Sequence, residues 1–161
     1  MPTHNDWTYL ERTICGGIEN NSIFPFDNTT TIDVTNNAGS SMAGSSSLWT
    51  DGALENNQLF GASGFNALPA GKRETTNNFD RINNNAFFWS SSAINSSYWY
   101  RWIGSQDSSA CRSGGYANRG YSVRCVQAAV LPNVETVSAV EISDTSANIS
   151  LNIISDGGMY V

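Results

Sequence analysis

The side chains able to carry nucleophilic or metal chemistry are few in this sequence and poorly spaced for it. His4 is the single histidine and stands at the start of a helical pattern, so a Ser-His or Cys-His pair would have to recruit a terminal residue. Cys15, Cys111 and Cys125 contain no close-spaced pair, and no second histidine joins them, which removes the usual zinc arrangements. Calcium takes about six to eight oxygen ligands. Asp80 with Asn83, Asn84 and Asn85, or Asp107 with Gln106, would supply only part of such a set. The expectation is a non-enzymatic protein with no catalytic residues, no metal and no cofactor.

The chemistry that remains is stacking and hydrogen bonding. Tyr and Trp offer large contact areas with little rotamer entropy to lose, while Ser, Asn and Gly adapt their polar contacts. These types crowd between Ala86 and Val126. The candidate binding face consists of Tyr98, Tyr100 and Trp102, joined by Asn95, Ser105, Asp107, Arg112, Tyr116 and Asn118, with Asn83 and Asn85 from an Asn-rich loop. The opposing set, Trp89, Trp99, Arg101, Ile103, Tyr121 and Val123, reads as core. The competing account of the three rings is that they cover a second core layer.

Three strands would hold this surface. Residues 86–91 place Phe87, Phe88 and Trp89 together, as in a strand buried on both faces. Residues 98–103 alternate, with Trp99, Arg101 and Ile103 on one face and Tyr98, Tyr100 and Trp102 on the other. Residues 119–126 alternate as well, Tyr121, Val123 and Cys125 against Ser122, Arg124 and Val126. The connections 92–97 and 104–118 are rich in Ser, Gly and Asn and read as surface loops.

Ahead of the strands, residues 3–14 form the clearest helical pattern: a polar cap at Thr3 or Asn5, Asp6 in the first turn, and Trp7, Leu10 and Ile14 along one face. Gly16 and Gly17 stop it. From 18 to 50 the pattern weakens into loop with short packed pieces around Ile23, Phe24, Phe26, Ile32, Val34, Leu48 and Trp49. Residues 66–73 read as a strand with Leu68 toward the core and Pro69 near a sheet edge.

Length is consistent with one domain plus an appendage. A formal charge of -6, a pI near 4.5 and a single lysine, Lys72, argue against a nucleic-acid partner and against a polybasic membrane contact. No run is long enough for a membrane-spanning helix, so no direct membrane insertion is expected. After Val126 the composition changes. Residues 128–133 read as a linker, and 134–142 and 147–154 as strands followed by an Asp156-Gly157-Gly158 turn. This 134–161 segment resembles the opening of an immunoglobulin-like or fibronectin type III-like module. It is expected to pack on the first domain, pair with another chain or form an incomplete domain, and self-association through these strands is one such outcome.

The ordered segments GFNALPAGKR, AFFWSSS, YWYRWI and NRGYSVRCV resemble the Fibrobacter succinogenes major paralogous domain, a family of bacterial cell-envelope proteins, over residues 1–127. The resemblance implies an α+β, C-type lectin-like fold related to the formylglycine-generating enzymes, with a twisted antiparallel core sheet, few helices and long loops. It also implies an early strand and a Cys-Pro-Thr-Gly-Trp segment upstream of the helix, whose cysteine would pair with Cys125; here Cys125 has Cys111, Cys15 or a buried thiol state as alternatives.

Some proteins of this fold are diversified by retroelements that mutate adenines, turning Asn codons into Tyr, Ser, Asp, Gly or Cys, the residue set found from Asn77 to Asn118. The implied function is recognition or adhesion by a surface-attached, secreted or phage-encoded bacterial protein, extracellular in location, with a protein or glycan ligand. The alternative is a structural envelope or assembly domain. A calcium-dependent lectin and a formylglycine-generating-type oxidase stand further behind, because their ligand and catalytic signatures are missing.

Overall fold

The computed structural model describes residues 1–17, 24–27, 29, 36–127, 133–140, 142–146 and 148–155. They fall into two units, Met1–Cys125 and Val126–Val161. The first contains helices α1 (His4–Ile14) and α2 (Ala38–Met42), a 3-10 turn (Ser46–Leu48), and strands β1 (Lys72–Arg73), β2 (Phe79–Asp80), β3 (Asn85–Ile94), β4 (Ser97–Gly104) and β5 (Ala110–Gly115). β3, β4 and β5 form an antiparallel sheet in that order, and β1 pairs with β2. The class is α+β, with few helices and antiparallel sheets.

α1 begins on a complete capping box. Asp6 N donates to Thr3 Oγ1 at 3.1 Å, and Thr3 N donates to Asp6 Oδ2 at 2.7 Å, so two amides left over by the helix are satisfied together. At the other end Gly17 N donates to Arg12 O, with Gly16 and Gly17 both at positive φ, where a Cβ would be strained. The buried stripe is His4, Trp7, Thr8, Glu11 and Arg12, and only Trp7 in it is a large apolar residue. Leu10 and Ile14 are only partly buried against the core. The expected apolar face is therefore rotated toward polar positions, because arginines of the sheet lie beneath them.

β3 and β4 are joined by a two-residue turn in which Asn95 takes φ 52°, a left-handed conformation that Asn tolerates. The register slips between Trp89 and Ala93, leaving extra residues on β3. These residues hold the N-terminus: Ser91 N donates to Pro2 O at 2.8 Å and His4 N to Ser92 Oγ at 2.9 Å. Directly opposed residues share a face, so the register puts Phe87 and Trp89 on the side of Trp102 and Tyr100, and Phe88 on the side of Arg101.

The inner face packs against α1 and α2 around Trp7, Met42, Trp49, Leu54, Phe88 and Ile103. α2 is entirely buried because it is built of small residues. A Cβ on Gly39 would lie 2.2 Å from Ser109 O, so glycine permits the approach of the chain that leads into β5.

Several expectations are corrected here. β5 lies inside the stretch read as a surface connection; its sequence ACRSGG lacks apolar alternation, and its strand form comes from pairing with β4, with Ala110 in the core and Gly115 leaving room for the Trp89, Tyr100 and Tyr121 rings. Residues 119–126 form no regular strand, only bridges from Gly120 to Arg73 and from Ser122 to Phe88. Val123 is 60% exposed and not core, and Leu68 is exposed as well. Trp89 and Tyr121 are half-buried on the Tyr100 side rather than opposite it. Cys111 is buried and Cys125 exposed, and no bond joins them.

The second unit is an antiparallel pair, β6 (Asn133–Val140) and β7 (Asn148–Ser155). The linker residues 128–132, the turn at Asp156-Gly157-Gly158, and Ile23, Ile32 and Val34 lie outside the described residues.

Candidate functional site

The outer face of the three-stranded sheet divides the expected binding residues into two groups. At the C-terminal end of β4, Asn85, Trp102, Ser105 and Asp107 come together around a cleft of about 220 Å³, with Arg81, Asn84 and Gln106 completing its polar lining. Gly104 lets the cleft form: a Cβ there would lie 2.9 Å from Asn85 Nδ2 and 3.0 Å from Trp102 Cζ3. Asn85 Nδ2 donates to Ile103 O at 3.3 Å. Asp107 Oδ1 accepts from Ser109 N at 2.8 Å, and Gln106 Nε2 donates to Asp51 O at 3.0 Å, which ties the turn to a neighbouring loop.

At the other end of β4 are Asn95, in the exposed turn, and Tyr98, 44% exposed and opposite Gly115. Tyr116 follows that glycine and is 61% exposed. Asn118 is exposed, and its carbonyl accepts from Arg73 Nη2 at 3.1 Å. Tyr100 sits between the two ends and is half-covered. Its ring centroid is 4.8 Å from that of Tyr121, which also lies 4.3 Å from Trp89 and 5.3 Å from Phe87, stacked on the latter. Gly115 makes room for this cluster, since a Cβ there would meet Trp89, Tyr100 and Tyr121 at 3.1–3.2 Å.

Three expected site residues have other roles. Arg112 is 1% exposed and lies on the inner face, opposite Arg101, where it cannot meet a ligand on the Tyr100 side. Ser105 is buried, its N–H donating to Asn84 O and its carbonyl accepting from Leu54 N, although it borders the cleft. Asn83 is exposed at φ 67°, and its backbone joins Pro69 and Thr50, so it acts as a turn residue beside the cleft rather than in its lining. Sequence reasoning missed Arg81, Asn84 and Gln106 as cleft residues; their adjacency to Asn85, Ser105 and Asp107 was the available signal.

Beneath the sheet lies a buried polar cluster. Arg101 Nε donates to Glu11 Oε1 at 2.6 Å, and its Nη2 donates to His4 O and to Thr8 Oγ1, both at 3.2 Å. Arg112 Nη1 donates to Pro25 O at 3.1 Å, and its Nη2 pairs with Asp27 Oδ1 at 3.2 Å. His4 lies between the two guanidinium groups, Nδ1 3.4 Å from Arg101 Nη1 and Nε2 3.1 Å from Arg112 Nη1. Burial first, and then these two positive charges, lower its pKa to about 3, so the ring is neutral. Burial pushes the Glu11 carboxyl up while Arg101 pulls it down, and burial lowers Arg112 to about 10, still cationic at neutral pH. The cluster fixes α1 on the sheet, and through it the back of the surface that carries Tyr98, Tyr100 and Trp102.

Among the described residues no group of three or more His, Cys, Asp or Glu side chains is arranged to hold a metal ion. No helix among them is long and apolar enough to cross a membrane. The first unit is thus an α+β domain whose antiparallel sheet has a charged, hydrogen-bonded inner face and an aromatic outer face ending in a polar cleft. The chain matches the family model of the Fibrobacter succinogenes major domain over residues 1–127 and belongs to that family. No curated protein and no solved structure matches it.

Proposed function

We propose that this is a non-enzymatic recognition domain of C-type lectin-like descent, serving a bacterial surface-attached, secreted or phage-encoded protein in the extracellular space. The observation that supports it most is the cleft in which the Trp102 indole meets the amides of Asn84, Asn85 and Gln106 and the carboxylate of Asp107. An aromatic wall with planar polar groups suits a ligand rich in hydroxyl or amide groups, such as a glycan or a protein loop. Exposed Tyr98 and Tyr116 would extend contact toward the other end of β4. In this reading the Asn-, Ser- and Tyr-rich positions are those that retroelement-driven diversification would vary.

Trp102→Ala and Asp107→Ala should each reduce capture of a surface ligand by about tenfold or more while leaving the melting temperature within a few degrees. Binding of the wild-type chain and both variants to a glycan array and to intact bacterial surfaces would measure this. Unchanged capture by both variants would remove the cleft from the site. A second reading, a structural envelope or assembly domain, draws support from the half-burial of Tyr100 under Tyr121 and from the β6–β7 pair, since a two-stranded pair alone is marginally stable and gains from self-association.

A further inference from the structure

The positive charges of this acidic chain are unevenly placed. Of its eight lysines and arginines, Arg12, Arg101 and Arg112 lie in the interior, and Arg124 is engaged with Phe65, donating to its carbonyl at 2.5 Å with the guanidinium 4.3 Å from the ring. Arg81 borders the Trp102 cleft and pairs with Asp80. Of the remaining three, Lys72 and Arg73 line one groove of about 370 Å³ on the β3 edge of the sheet, and Arg119 is joined to Lys72 through Glu74. Glu74 pairs with both Lys72 and Arg119, and no other carboxylate of the described residues pairs with any of the three. Arg73 donates only to neutral acceptors, Asn77 Oδ1 and Asn118 O, so its charge is uncompensated. A net positive groove on a chain of charge -6 is an electrostatic site for an anion.

The rest of the groove limits the kind of anion. Phe79, 72% exposed, and Tyr121, its hydroxyl accepting from Arg119 Nη1 at 3.3 Å, supply aromatic surface. The backbone along the groove is already paired. Gly71 N donates to Asn85 O, Arg73 and Gly120 exchange both amides, and Ser122 N donates to Phe87 O. An extended peptide therefore gains no ladder of main-chain hydrogen bonds by adding itself here. A compact ring with one negative group satisfies both constraints.

We propose that this groove binds a carboxylate-bearing sugar, a hexuronate unit of an acidic glycan, with Arg73 toward the carboxylate and the Phe79 ring, its partner across the β1–β2 pair, against the pyranose. This site lies apart from the Trp102 cleft and stands whether or not that cleft binds a ligand. The test is calorimetric titration of the full chain with a short oligogalacturonate, its uncharged galactose counterpart and an oligoglutamate of matched charge.

Binding of the uronate alone, weakening as salt is raised, is the expected result. Arg73→Gln should weaken it by about tenfold. Phe79→Ala, at an exposed position that folding does not depend on, should also weaken it; Tyr9→Ser, on the exposed side of α1, should not. Absence of uronate binding, equal binding of oligoglutamate, or uronate binding unchanged in both Arg73→Gln and Phe79→Ala would each overturn the proposal.

Discussion

His4 has guanidinium groups against both ring nitrogens, yet a neutral imidazole offers one donor and one acceptor. Its folded pKa, about 3, lies below the usual value of 6.5, so the unfolded chain binds the extra proton first. The stability His4 contributes is complete above about pH 6.5 and is lost as pH falls toward 3. Between about pH 7 and about pH 5 the loss should reach up to about 2 kcal/mol. Glu11 acts with the opposite sign, because its folded pKa is raised: its contribution is complete below the ordinary carboxyl range and declines as pH rises through the folded value. Comparing urea unfolding of the wild type and His4→Gln across this range isolates the histidine, and parallel pH profiles would refute the assignment. Breaking the Glu11 to Arg101 pair is a separate matter. Arg101→Ala should cost about 3–5 kcal/mol, because it leaves a buried carboxylate without its cation. Glu11→Gln keeps an acceptor for Arg101 but leaves that buried guanidinium without an anion, so it too should destabilise in the same measurement.

Helix α1 and the entry to β5 are positioned by different means. The start of α1 is held by local hydrogen bonds, so Thr3→Ala should lower stability by about 1 kcal/mol without moving the helix. α2 depends on closeness: Gly39→Ala would drive a Cβ into Ser109 O and should destabilise by about 1–3 kcal/mol, read as a fall in the urea midpoint. The start of α1 was legible to within two residues, Thr3 or Asn5, because a cap needs only near neighbours. By contrast 92–97, which reads as a surface loop, is mostly strand: β3 runs to Ile94 and β4 begins at Ser97, because the pairing of the two strands, not their polar sequence, carries them to the turn. β5 was not legible, since ACRSGG has neither β-branched residues nor alternation and owes its strand form to β4 on one side and to Asn36 beside Ala110. The 119–126 segment misled in the opposite way: its alternation is real, but only Gly120 and Ser122 form bridges to neighbouring strands.

At the scale of the whole molecule, the two units differ in what they can bury. A two-stranded pair has too little surface to be independently stable, whereas the first unit holds a shared core of Trp7, Met42, Leu54, Phe88 and Ile103. A chain ending at residue 127 should therefore melt within a few degrees of the full chain, while residues 126–161 alone should give no cooperative transition. Circular dichroism on both fragments tests this, and a large fall in the first melting temperature would contradict it. The sequence by itself determined the family, the α+β class, the place of α1, the strand character of 86–91 and 98–103, and the crowding of aromatic and amide residues near β4. Each of these is written in short-range spacing or in ordered motifs. Only the tertiary structure decided that His4 and Arg112 are interior, that Trp89 and Tyr121 share a face with Tyr100, and that Asn85, Trp102 and Asp107 meet in one cleft. Those outcomes depend on strand register and on partners up to about a hundred residues away, as between His4 and Arg112. A shift of one residue in pairing would exchange the two faces of the sheet.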